Sequence, residues 1–315
     1  MPTLEETYHT GTALDLYAWR LPAPPLSTCC TFEGGPPTNL KPIPTQLSER
    51  YNKSIAERVA LPSTPPAVSI TLEKRLDSSI RRVPHVWTAC VQGSSSHEGA
   101  TTTTRATYPP HLVAKIYDPV FFDDGETRYD DPFVVRDLTI SCEAEAYRRL
   151  EPLQGTKVPR FYGSFVAALP AQHSRTVYIL LLEEVPGRDL RVIVPPDDTE
   201  NVCAKHKDAI IDASLRLFFD ILACGVKQLD MYSRNVILRP QKRVSLSVSG
   251  MRFCDTVGCM LALAVDCDDL HVVMADFEVV CFKEPDSSFS KQAVQRTHIE
   301  RAKPRYLARW LENGL

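Results

Sequence analysis

Four residues invite a chemical reading before any fold is drawn. Lys115 lies inside the apolar run H-L-V-A-K-I-Y, and Asp230 and Asn235 share the polar stretch Q-L-D-M-Y-S-R-N between two apolar segments. Asp276 closes V-V-M-A-D, with Phe277 and Glu278 directly after it. A lysine supplies a positive charge, one aspartate can accept a proton, and an asparagine and a second aspartate offer hard oxygens to Mg²⁺. Brought together, these groups could move a phosphoryl group, a reaction in which the protein mainly positions reactants and stabilises spreading negative charge. A helical carboxylate, Glu143 before Glu145, would hold Lys115 extended. Each residue alone is commonplace, since Asp and Asn form turns and a strand Lys usually sits at a solvated edge. The signal is their joint order along the chain.

The elements that must carry these residues follow from periodicity. Residues 67–73, 85–91 and 111–117 alternate as strands. Residues 160–165 and 177–184 complete an antiparallel sheet of five, the usual start of an α+β lobe. Between them, residues 137–150 read as a helix with an apolar stripe at Leu138, Cys142, Ala146 and Leu150 or Tyr147. Phe121 to Pro132 is acidic and reads as an exposed insertion, and the Gly, Ser and Thr-rich tract at 93–104 as a loop. Lys205 to Cys224 is apolar around more than half its circumference, which predicts a buried helix closed by Gly225. Short strands follow at 236–239, 246–248, 260–265 and 271–275, then helices at 291–301 and 306–311 separated by Pro304. Residues 1–66 hold eleven of the 25 prolines and oppose long elements. The only helix drawn there is Thr45 to Val59, with Leu47, Tyr51 and Ile55 on one face. A partly ordered arm and a plain tail both remain open for this segment.

Composition narrows the partners. With 315 residues and 43% hydrophobic content, the chain can bury the cores of two lobes. A net charge of -3 lacks the basic excess of nucleic-acid binders. No apolar run approaches the roughly 18 residues of a membrane span, and the start lacks a signal-peptide pattern. An intracellular, cytoplasmic protein without nucleic-acid or membrane partners is the expectation. The ten cysteines read as reduced, mostly buried thiols. Cys254 and Cys259 are too widely spaced for a C-x-x-C knuckle, and no His pair completes a zinc site.

From about Ser69 to Val280 the chain resembles the protein-kinase-like superfamily, in particular divergent fungal kinase-like proteins that share features with aminoglycoside and choline kinases. V-A-K at Val113–Lys115 is similar to the third-strand motif, and E-A-E-A-Y-R-R-L at Glu143–Leu150 to the following helix, which favours Glu143 over Glu145. L-L-E-E-V-P-G at Leu181–Gly187 is similar to the hinge. Q-L-D-M-Y-S-R-N stands where the family has H-x-D-x-x-x-x-N, and D-F-E where protein kinases have D-F-G. The resemblance implies a two-lobed α+β fold, with a small antiparallel β-rich N-lobe at 67–186 and a larger, mainly helical but shortened C-lobe at 187–315. It also implies ATP and Mg²⁺ as cofactors. The backbone of Glu183 and Val185 would pair with adenine, and Leu182 would guard the back pocket. Lys115 would contact phosphates, Asp230 would act as base, and Asn235 and Asp276 would ligate the metal.

Several positions depart from that pattern. K-R-L-D-S-S-I-R-R has no glycine where a phosphate-covering loop needs one, leaving small Ser78 and Ser79 to serve. Gln228 replaces a bracing His, and Glu278 replaces a Gly. No A-P-E segment follows before Leu315. An ATP- and Mg²⁺-dependent phosphotransferase with unknown acceptor is the leading reading. A kinase-shaped binding module without turnover and a truncated or decayed copy are the alternatives.

Overall fold

The computed structural model describes residues 2–22, 46–76, 84–92, 108–122, 131–193, 202–239, 269–290 and 295–304, with Pro24, Cys254, residues 256–259, Leu261 and Asp266. The expected strands at 246–248 and 260–265, the loop at 93–104 and the helix at 306–311 fall wholly or almost wholly outside these residues. The chain divides into two compact units. The first comprises Met1–Pro24, Phe32–Glu145 and Arg160–Glu184; the second comprises Pro25–Thr31, Ala146–Pro159 and Val185–Leu315.

The first unit is built on a closed barrel of six strands rather than an open sheet of five. Its strands are β1 (Ala13–Ala18), β2 (Val68–Arg75), β3 (His85–Val91), β4 (His111–Tyr117), β5 (Phe161–Leu169) and β6 (Arg175–Glu183). The added strand is β1, which pairs antiparallel with β2 through Leu14↔Ile70 and with β5 through Tyr17↔Val166. Proline density obscured it, yet A-L-D-L-Y-A alternates cleanly, and Leu14 and Leu16 are both buried. Joining the first and last strands removes both sheet edges, which would otherwise expose unpaired backbone. Leu16, Ile70, Leu72, Ala89, Leu112, Ala114, Ile116, Ala167, Ile179 and Leu181 fill the interior, one from every second position of each strand.

Helix α1 (Leu4–Thr7) opens with a Thr3/Glu6 capping box. Helix α2 (Leu47–Ala56) lies inside the expected span; of its expected stripe Tyr51 is buried and Ile55 half-buried, but Leu47 is 42% exposed, and Arg50 and Ser54 share the buried face. Helix α3 (Pro132–Arg149) starts five residues before the expected position. Asp131 accepts a hydrogen bond from the Phe133 N–H at 2.9 Å, and Pro132 takes the first helical position, where no N–H is needed. The end of the supposed acidic insertion is thus a helix start.

A buried ionic knot ties α1 to the barrel. Arg175 donates to Asp118 Oδ1 at 2.9 Å and to Gln172 at 2.6 Å; Tyr8 donates to Asp118 Oδ2 at 2.8 Å, and Gln172 to Thr7 at 2.7 Å. Burial alone would raise the Asp118 carboxyl, but the Arg175 charge and its hydrogen bonds hold it below the usual carboxylate range. Burial, with the neighbouring Asp118 charge, pushes the Tyr8 phenol well above its ordinary value.

In the second unit, β7 (Arg188–Asp189) and α4 (Leu190–Ile193) precede the long helix α5 (Ala204–Ala223). The expected burial of α5 holds: Ile210, Ile211, Leu215, Leu217 and Ile221 are all buried. Gly225 closes it with φ +78, and a Cβ there would sit 2.4 Å from the Lys283 carbonyl oxygen. Among the described residues four short strands follow: β8 (Val226–Gln228), β9 (Val236–Leu238), β10 (Val272–Met274) and β11 (Val280–Phe282). Helix α6 covers residues 295–304 and includes Pro304. Lys303 of α6 pairs with Asp208 at 2.6 Å and Asp212 at 2.7 Å on α5. Among the described residues no helix is long and apolar enough to cross a membrane.

Candidate functional site

Strand alternation decides where Lys115 points. Leu112, Ala114 and Ile116 fill the barrel, so Lys115 and Tyr117 face outward, where Tyr117 and Leu180 pack against Ile140 and Ala144 of α3. Glu143, next to Ala144, is brought opposite Lys115. The Lys115 Nζ lies 2.8 Å from Oε1 and 2.7 Å from Oε2, with Lys115 4% and Glu143 0% exposed. Tyr117 also donates to Glu143 Oε2. Tyr117 escaped the sequence reading, although its place two residues after Lys115 puts it on the same strand face. Glu145 is half-buried on α3, and Glu143 is the carboxylate that Lys115 meets. Such a buried pair confers little net stability, because desolvating both charges offsets most of their attraction; removing one partner costs about 3–5 kcal/mol.

In the same unit, the Glu183 N–H donates to the Arg160 carbonyl at 2.8 Å. Leu182 is buried opposite Val113 in the β4–β6 ladder. Val185 is half-buried and opens the second unit's segment. Ser78 and Ser79 lie outside the described residues.

The second unit gathers Asp230, Asn235 and Asp276 by a simple device. One antiparallel ladder pairs β8 with β11, Gln228 opposite Val280; another pairs β9 with β10, Val236 opposite Met274. The loops 229–235 and 275–279 are bounded by the same two ladders and must run side by side. Gln228 joins them. Its Nε2 donates to the Asp276 carbonyl, and its Oε1 accepts from the Asp230 N–H at 3.2 Å. The amide thus supplies one donor and one acceptor, as a singly protonated imidazole could. The Ala275 N–H also reaches the Asn235 carbonyl at 3.0 Å, and the Tyr147 hydroxyl reaches the Ala275 carbonyl at 3.0 Å. The Tyr147 ring packs edge-on against Phe277, with centroids 5.2 Å apart.

Asn235 is buried in a 3₁₀ turn, Ser233–Asn235. Its Nδ2 donates to the Asp230 carbonyl at 2.8 Å and to Asp230 Oδ2 at 3.1 Å. Both amide hydrogens are then used, which orients the amide oxygen as an acceptor. Asp276 accepts from the Glu278 N–H at 3.2 Å. An amide oxygen and a carboxylate on adjoining loops are the hard donors that Mg²⁺ takes. Arg234, missed in the sequence, donates to Asp230 Oδ2 at 2.7 Å and stacks over Tyr232 at 4.3 Å. Its signal was the i, i+4 spacing from Asp230.

No family model and no curated protein matches this chain. Among solved structures, it is similar to a double mutant of the PknI kinase domain of Mycobacterium tuberculosis, with 14% identity over 67% of this chain and 60% of that one, at a TM-score of 0.38. A single mutant of the same domain gives 15% identity, the same coverages and a TM-score of 0.37. WaaP in complex with acyl carrier protein gives 13% identity over 77% of this chain and 87% of that one, at 0.35. The chain thus spans about 60% of the length of the kinase domains it matches. The functional reading rests on the side chains.

Proposed function

We propose that the chain is an ATP- and Mg²⁺-dependent phosphotransferase of protein-kinase-like type, acting on a hydroxyl acceptor of unassigned class. The observation that carries this reading is the Gln228 bridge, which sets Asp230, Asn235 and Asp276 on two adjoining loops. The Lys115–Glu143 pair supports it. In this reading Lys115, held by Glu143 and Tyr117, supplies positive charge to the α and β phosphates. The backbone of Glu183 and Val185 meets adenine. Asp230 orients the acceptor hydroxyl and takes its proton as the acceptor oxygen bonds to the γ-phosphorus. The bond from that phosphorus to the bridging oxygen breaks, and ADP leaves with the electron pair. Asn235 and Asp276 would hold Mg²⁺, which when bound neutralises charge on the phosphate oxygens.

The test is transfer of labelled γ-phosphate from ATP to panels of protein and small-molecule hydroxyl acceptors. Wild type transfers label, and Asp276→Asn lowers the rate by about 10²-fold or more. Equal rates in the two proteins would overturn the assignment. One observation favours a second reading, a kinase-shaped binding module: Asp230 Oδ2 is already engaged by Arg234 and Asn235. That reading expects partner binding indifferent to Asp230→Ala and no label transfer.

A further inference from the structure

We propose that Cys203, His206, Cys254 and Cys259 form a structural Zn²⁺ site that pins the start of α5 to Cys254 and the turn at residues 256–259. In the sequence Cys254 and Cys259 are too widely spaced for a C-x-x-C knuckle and have no His pair beside them. The fold supplies the other two ligands: Cys203 caps α5 and His206 lies in its first turn, a C-x-x-H pair brought against C-x-x-x-x-C from 51 residues further on. One donor atom from each residue lies within 4.8 Å of all the others. The Cys203 Sγ is 3.1 Å from His206 Nδ1 and 3.9 Å from Cys254 Sγ, and the Cys259 Sγ is 3.5 Å from His206 Nδ1. A tetrahedral ion with bonds of about 2.3 Å to sulfur and about 2.0 Å to nitrogen sets its ligands about 3.8 Å apart sulfur to sulfur and about 3.5 Å sulfur to nitrogen. The edges observed scatter around those values.

The surroundings suit the ion. His206 and Cys254 are buried, Cys203 and Cys259 half-buried. The Cys203 N–H points to the Cys259 Sγ at 3.5 Å, a backbone donor of the kind that steadies a thiolate ligand. Between the two later cysteines the chain turns through a Cys259 N–H to Thr256 carbonyl bond at 3.3 Å, with Gly258 at φ +82. Three thiolates and one imidazole are soft and borderline donors, which select zinc over Mg²⁺ or Ca²⁺. Four protein ligands leave no open position, so the site is structural and not catalytic. At 1.5 Å per residue, α5 separates it by about 30 Å from the Gly225 end, where the Asp230 loop begins. The proposal therefore stands or falls independently of phosphate transfer.

The experiment is elemental analysis of the full chain, purified under reducing conditions from zinc-replete cells, followed by chelation and reconstitution with Co²⁺. Wild type and Cys224→Ser, a control at a cysteine outside the cluster, carry about one Zn²⁺ per chain. Cys254→Ser with Cys259→Ser loses it. Chelation lowers Tm by about 5 °C or more, and Co²⁺ gives the intense visible bands of a tetrahedral thiolate site. The cobalt spectrum is read on the wild-type chain, so a variant that fails to fold does not decide the matter. Wild type that is metal-free and gives no tetrahedral cobalt spectrum would overturn the proposal. So would iron in place of zinc, a Cys203–Cys254 disulfide, or zinc retained by the double variant.

Discussion

Paired buried charges set the behaviour of this chain at the residue scale. Lys115 with Glu143 and Arg175 with Asp118 are both desolvated, yet only the first pair stands among residues suited to chemistry. The second is architectural. Because Asp118 holds its proton less tightly in the folded chain, its contribution to stability is fully present above the unfolded carboxyl value of about 4. It is lost as pH falls from there through the lowered folded value. Urea unfolding from pH 7 to pH 3 should show that loss in wild type. Asp118→Asn should be less stable at pH 7 by about 3–5 kcal/mol, since Arg175 is left buried without its counter-charge, and should show a shallower slope below about pH 5. An unchanged slope would remove Asp118 from the account. Lys115 and Asp276 were legible because each stands out against an apolar run, Lys115 inside one and Asp276 at the end of another. Arg175 was not, because its partner is 57 residues away and nothing local marks either one. Cys203 and His206 were not legible as ligands, because the other half of their set comes from a turn 51 residues away.

Elements were read best where one period dominated. Strands β3 and β4 and helix α5 alternate or repeat without competing signals, and their bounds in the fold match the reading to within a residue. Strand β1 is obscured by the proline density around it, and the start of α3 by the acidic stretch that leads into Pro132. Pro132 is the first residue of that helix, and near β1 the prolines lie beyond the strand's ends. Barrel closure could not be seen without β1. Gly225 shows the opposite case, a local residue whose necessity is enforced by a distant one. Gly225→Ala would hold a Cβ against the Lys283 carbonyl as well as in the left-handed region, so it should lower stability by at least about 1–2 kcal/mol. Ala223→Gly, two residues earlier at the last position of α5, is the reverse substitution and the control, expected to cost at most about 1 kcal/mol. Denaturant midpoints for the two variants check the ordering. A Gly225→Ala protein as stable as wild type would show that the α5 terminus is not so constrained.

For the molecule as a whole, the proposed chemistry is divided between the two units. The Lys115–Glu143 pair belongs to the first, and the Asp230, Asn235 and Asp276 loops belong to the second. A nucleotide and its metal that bind only the native state must raise its stability by mass action. Thermal unfolding of the full chain with ATP, with and without Mg²⁺, tests this most directly. The account predicts that ATP at about 100 times its Kd raises Tm by roughly 5 °C when Mg²⁺ is present and by clearly less when it is chelated, the metal-dependent part vanishing in Asp276→Asn. No stabilisation by ATP under either condition, or one that ignores both Mg²⁺ and Asp276, would contradict it.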